Sequence, residues 1–371
     1  MRSLESDRIH LDETVAWLAR AQDVCNGRGI CISYDKFAAW HPDPYPETSG
    51  YILPTFLGYA DLSGDLDFVD RAIALGKWEI DIQRNDGAVL SSVRNNVVRV
   101  FNTGQVILGW CCLFERTQNQ EYLDAAVRAG SYLMVVQERN GSWVRDTHCG
   151  ARTYHARIAW SLLRLAELTG KESFLEAGLR HIGWVLGQQN GQGWFKDCGF
   201  DSGPPITHAI GYTIRGLLES QQLVAKNGWE TGVSTILDAV VRACRPLMDC
   251  IRKYHIRSIP GLLPATFDAD WKPGADYSCL TGNAQLAICL MRLEQISGDA
   301  ACFESASMLI DALKRVQSLR NPSPGIRGGV GGSFPRARGY FSNAFPNWAA
   351  KFMADALMMR IKRHVEWWVQ A

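Results

Sequence analysis

Apolar and polar positions alternate along this chain in two distinct helical styles. Six segments are apolar nearly all round and carry small residues. They are TSGYILPTFLGYADLSGD from Thr48, NTGQVILGWCCLFERTQN from Asn102, YHARIAWSLLRLAELTGK from Tyr154, THAIGYTIRGLLESQQLV from Thr207, LTGNAQLAICLMRLEQIS from Leu280 and NWAAKFMADALMMRIKRH from Asn347. A helix with no wet face has to be packed on every side. Between them lie amphipathic stretches with apolar residues at three- and four-residue steps and charges opposite. These are His10–Asp23, the runs from Leu66, Glu121 and Glu172, then Thr231–Lys253 and Ala301–Leu319. The pattern predicts twelve helices that alternate outer, inner, outer, inner.

The spacing supports a repeat. Ser49, Thr103, His155, His208, Thr281 and Asn347 fall 54, 52, 53, 73 and 66 residues apart, the length of a two-helix unit with a loop. Inner-to-outer links are short turns at Ser63, Thr117, Thr169 and Ser297. Outer-to-inner links are long: Cys25–Glu47, Arg84–Phe101, Arg139–Thr153, Asn190–Ile206, Tyr254–Cys279 and Arg320–Pro346. Long loops without helical period are usually functional. Alternation puts all six at one end of a helical ring. The expected fold is therefore all-α: one closed toroid spanning residues 1–371, with a single elaborated mouth rimmed by the inner-helix N-termini.

In architecture the chain resembles the (α/α)6, or six-hairpin, toroids of carbohydrate-active enzymes. Those include unsaturated glucuronyl hydrolases, acylglucosamine epimerases, toroidal polysaccharide lyases and the catalytic part of glucuronyl C5-epimerases. YPETSGY at Tyr45, FNTGQ at Phe101 and NWAAKF at Asn347 look like mouth elements of such toroids. The resemblance implies a saccharide substrate. It does not by itself choose a reaction.

Composition narrows the partners. Of 371 residues 47% are apolar and 21% charged, typical of a globular protein. With 39 Lys and Arg against 38 Asp and Glu, no basic surplus favours nucleic acid. No apolar run reaches a membrane span, and no secretory h-region follows the N-terminus. The 11 Cys include no CxxC pair, and several sit inside apolar helices. A reduced, cytoplasmic protein is expected. His148, Cys149, His155, Cys198, His208 and Cys279 match no metal-ligand spacing, so neither metal nor cofactor is expected.

Candidate chemistry lies on the long loops. Glycoside hydrolysis uses two carboxyl groups, one as acid and one as base or nucleophile. Glu47 opens an inner helix, and Asp146, Asp268, Asp270 and Asp276 sit on loops. Glu47, Asp146 and one of the last three form the favoured hydrolytic set. β-Elimination or C5 epimerisation of a uronic acid would instead use Tyr154, His155 or His208 as base, with a cation to neutralise the carboxylate. Arg94, Asn102, Gln105, Arg157, Tyr212, Asn283 and Lys351 are expected to hold the sugar. Trp40, Trp143, Trp194, Trp271 and Trp348 offer flat faces for stacking. Arg94, Arg99, Arg157, Arg336 and Arg338 predict a locally cationic mouth. A terpenoid cyclase, a prenyltransferase or a non-catalytic glycan-binding module would fit the same toroid. A cyclase would need a longer acidic run than the DAD at Asp268, and a prenyltransferase would need zinc.

Overall fold

A computed structural model describes residues 2–229 and 233–363. Twelve α-helices run in order: α1 (Arg2–Asp23), α2 (Pro46–Ser63), α3 (Asp67–Asp81), α4 (Val100–Thr117), α5 (Gln120–Val135), α6 (Ala156–Thr169), α7 (Glu172–Leu186), α8 (Thr207–Lys226), α9 (Val233–Lys253), α10 (Leu280–Ser297), α11 (Ala300–Val316) and α12 (Asn347–Ile361). The even-numbered helices pack α2 on α4, α4 on α6, and so on to α12, which returns to α2. Each outer helix lies against an inner neighbour, and α1 packs on α12 to complete the second ring. The fold is the (α/α)6 toroid that the alternation predicts. No described helix is long and apolar enough to cross a membrane. Trp367 and Trp368, expected to cover the last helix, lie outside the described residues.

The inner helices are buried along nearly their whole length, as their apolar pattern requires. Small residues set their spacing. A Cβ on Gly216 of α8 would stand 2.4 Å from the backbone of Ala156 on α6, so that crossing needs glycine.

The outer ring carries a clamp that the helical pattern did not announce. Gln83, Gln137 and Gln189 each close an outer helix. Each side-chain amide donates to a loop glycine carbonyl four residues on and to a carbonyl of the next outer helix, at 2.8–3.1 Å. The same amide oxygens accept from Arg128, Arg180 and Arg242. The sequence signal is Q-x3-G, recurring in QRNDG, QERNG and QNGQG. Gly193 closes the third clamp at φ +84°, and a Cβ there would meet the Arg242 carbonyl oxygen at 2.4 Å. Gly193→Ala is therefore expected to cost about 2 kcal/mol or more, from φ strain and the backbone clash together. Urea unfolding should show a lowered midpoint at unchanged m-value.

The long loops are tied by short antiparallel pairs. Ser33–Asp35 of the first loop pairs with Ala344–Pro346 of the last, and Ser278–Cys279 pairs with Ser333–Phe334. The fourth residue of three inner helices also holds its own loop. Ser49, Thr103 and Asn283 accept the backbone N–H groups of Ile30, Val89 and Leu263. These contacts fix the loops over one end of the ring.

Candidate active site

The loop-bearing end of the ring holds a cavity of about 360 Å³, within the range of small-molecule sites. Every inner helix except α10 supplies side chains to it or holds them at its N-terminus. Tyr45 caps α2, and Glu47 and Tyr51 follow in its first turns. Phe101 comes from α4, Tyr154 from the 3-10 turn that leads into α6, His208 and Tyr212 from α8, and Trp348 from α12. Loops add Ile32, His148, Phe200, Tyr340 and Phe341.

Glu47 is the one carboxyl among the described residues that line this cavity. Its side chain is buried, and the Tyr45 hydroxyl donates to Oε2 at 2.8 Å. Burial lifts its pKa to about 7, while the Tyr45 hydrogen bond and the charge of Arg157 pull the other way. Burial thus brings this carboxyl's titration into the neutral range. His208 stands among four aromatic neighbours, Tyr212 at 4.6 Å, Phe200 at 5.2 Å, Tyr340 at 5.7 Å and Phe352 at 6.3 Å between ring centroids. Neither ring nitrogen has a protein partner among the described residues. Burial first, then Arg157, lowers its pKa to about 3, so the ring is neutral and keeps a free lone pair. Burial raises the hydroxyls of Tyr45, Tyr51, Tyr212 and Tyr340 well above the ordinary phenol range and raises Tyr154 too. All five are neutral donors.

A layer of buried charge closes the floor. Tyr212 donates to the Tyr51 hydroxyl at 3.4 Å. Beneath them Arg157 donates to Gln105 at 2.6 Å and lies 5.2 Å from the Tyr212 ring centre. Lys351 lies 5.4 Å from the Tyr51 ring centre and pairs with Asp355, whose other oxygen accepts from Thr55. Burial lowers Lys351 to about 8 against the pull of Asp355. Gln105, Arg157 and Lys351 thus support the floor from below.

Other expected site residues go elsewhere. Asp146 adopts φ 58° and turns outward, where the Tyr132 hydroxyl donates to it at 2.6 Å. It lines a separate open groove with Arg84, Asp86 and Arg145. Asp268 accepts the backbone N–H groups of Asp270 and Lys272, both at 2.9 Å, which is an Asx turn. Asp270 is exposed near Lys272, and Asp276 is exposed and paired with Arg338. The expected carboxylate set is therefore not assembled around Glu47. Asn102 and Asn283 spend their side chains on loop backbone. His155 is fully buried beside Tyr154 and His181, off the cavity.

Two further expectations are corrected. Of the five tryptophans expected to stack on sugar, only Trp348, on α12, lines the cavity. Trp143 donates to Leu133 and Trp271 to Gln192, Trp194 packs edge-on to Trp271, and Trp40 packs on Trp17. An indole buries a large area wherever a carbonyl can take its N–H, and these loops supply both. The cationic character expected of the mouth does not reach the cavity wall: among the described residues no Arg or Lys lines it, Arg94 pairs with Asp43, Arg338 pairs with Asp276, and Arg336 lies over the Phe345 ring. Tyr45 and Phe101 begin two of the segments expected at the mouth, although neither was expected among the site residues, and nor were Tyr51, Phe200, Tyr340 and Phe341. Tyr45 and Tyr51 were within reach, because they flank Glu47 in the YPETSGY segment.

No protein-family model matches the chain, and no curated protein does. Solved structures do. An unsaturated glucuronyl hydrolase specific for heparin superposes with TM-score 0.75 at 13% identity, covering 96% of this chain and 98% of that one. The cellobiose 2-epimerase of Bacillus thermoamylovorans B4167 gives 0.76 at 12%, covering 98% and 100%. A polysaccharide lyase gives 0.67 at 13%, covering 98% of each. At these identities the likeness establishes the toroid fold.

Proposed function

We propose that this protein is a carbohydrate-active enzyme that moves a proton to and from a carbon atom of its sugar, as an epimerase or isomerase does. The observation that carries the reading is the presence of one carboxyl, Glu47, and one neutral imidazole, His208, on the walls of the same aromatic cavity. The structural neighbours are enzymes named for sugar substrates, and their reactions include hydrolysis, epimerisation and elimination. That spread leaves the choice to the site. Paired-carboxylate hydrolysis needs a second carboxyl about 5–10 Å from the first. The loop carboxyls put forward for that task lie outside the cavity.

Proton transfer asks for different groups. A useful general acid or base has a pKa near the working pH, as Glu47 does; burial keeps the His208 ring neutral, with a lone pair that has no protein partner among the described residues. In this reading His208 takes a proton from carbon next to a carbonyl, and Glu47 exchanges one on the other side. The tyrosine hydroxyls donate to the oxygen where negative charge develops.

Products separate the reactions. Incubation with sugars in heavy water is expected to place non-exchangeable deuterium on carbon, read by proton NMR. His208→Asn should slow that incorporation by about 10²–10⁴-fold. New reducing ends without carbon-bound deuterium would overturn the reading, in favour of elimination where an unsaturated sugar absorbing in the ultraviolet appears and of hydrolysis where it does not.

A further inference from the structure

We infer that the cavity admits the terminal residue of an uncharged saccharide and rejects uronic acids and other anionic sugars. The inference rests on the proposed function for its saccharide, and on the cavity's own walls for the charge. Three kinds of ionisable group line those walls: Glu47, two histidines and five tyrosines. The histidines His148 and His208 are both pushed toward the neutral form by burial. The wall therefore offers donors and a potential negative charge, but no positive one.

The cations nearest the site lie behind its walls rather than on them. Arg157 sits under the Tyr212 ring with its Nε on Gln105. Lys351 is bound to Asp355 behind Tyr51. A sugar carboxylate entering here would lose its water, meet no guanidinium fork and face Glu47 at close range. Like charges brought together in this way cost several kcal/mol, and an unpaired buried carboxylate costs more. An uncharged ring meets Phe101, Phe200, Phe341 and Trp348 on its C–H faces and phenol hydroxyls on its edges.

The terminal position follows from the floor. Tyr51 and Tyr212 meet beneath the cavity, and Arg157, Lys351 and Asp355 under them are 5% exposed or less. The ring axis is plugged, so a chain can enter only end first, past the half-exposed Phe341.

Binding tests this without any turnover. Saturation-transfer NMR and calorimetry on the full chain would use matched disaccharides of glucose, mannose and galactose, each with its terminal uronic acid counterpart. At least one neutral sugar should bind, and its uronic acid partner should bind about ten-fold or more weaker. Glu47→Gln should narrow that gap. Oligomers of the binding sugar with bulky groups on both ends should not compete. Uronic acids binding as well as their neutral partners, or doubly blocked chains competing fully, would overturn the inference and leave the proposed function standing. If no saccharide of either kind binds, both fall.

Discussion

Glu47→Gln is expected to lower turnover by about 10²–10⁴-fold, because an amide of the same shape can neither give nor take the proton. The wild-type pH–rate profile should bend near pH 7, where this carboxyl titrates, and the variant should lose that bend. The same substitution carries a stability signature. Glu47 has a folded pKa of about 7 against 4.5 for the free group, so the folded state holds its proton more tightly. That contribution is fully present below about pH 4.5 and is lost as pH rises through 7. The loss amounts to about 3 kcal/mol. The glutamine variant cannot ionise. It should therefore gain on the wild type between pH 5 and pH 8 in urea unfolding, while losing activity. A residue kept at a cost to stability is what a functional carboxyl in a dry pocket predicts. Equal pH dependence of stability in both proteins would remove Glu47 from its role as a buried titrating group.

Glu219→Ala is expected to destabilise the fold by about 3–5 kcal/mol. Glu219 is buried on α8, where Arg215 one turn away forms an ion pair with it at 2.7 Å and Arg292 of α10 grips both oxygens at 2.9 and 3.1 Å. Both arginines hold its carboxyl well toward the ionised form against burial. Removing it leaves two buried guanidinium groups without the carboxylate they share. Urea unfolding at pH 7 should show the drop. A change below about 1 kcal/mol would mean that water relieves the two arginines after the carboxylate is gone.

The ring was legible because helix burial is periodic. Segments such as LTGNAQLAICLMRLEQIS have no wet face, so they announced an inner ring, and short turns at Ser63 and Thr169 announced their hairpins. Glu47 was legible for a related reason. Two residues into an inner helix at the mouth end, it has little choice of direction. Loop residues have no such period. Asp146 sits in left-handed backbone, which turns its carboxyl to Tyr132, and nothing in GSWVRD signals that twist. Asp268 looked catalytic beside Asp270, yet an Asx turn uses the same residue types. Tryptophan misled by number. Its bulk suits a stacking platform and a loop core equally, and the cavity takes most of its flat faces from tyrosine and phenylalanine, with Trp348 the one indole among the described lining residues. The Q-x3-G clamp was visible but silent, because its meaning depends on a carbonyl from the next hairpin.

The central claim is that a sugar sits between Glu47 and His208. A crystal structure of Glu47→Gln soaked with a saccharide that the enzyme binds tests it most directly. The account predicts a terminal sugar in the aromatic cavity, with ring or open-chain atoms within about 3.5 Å of both residue 47 and the His208 ring. A sugar seated instead in the open groove beside Asp146 and Tyr132, with the cavity empty, would contradict it.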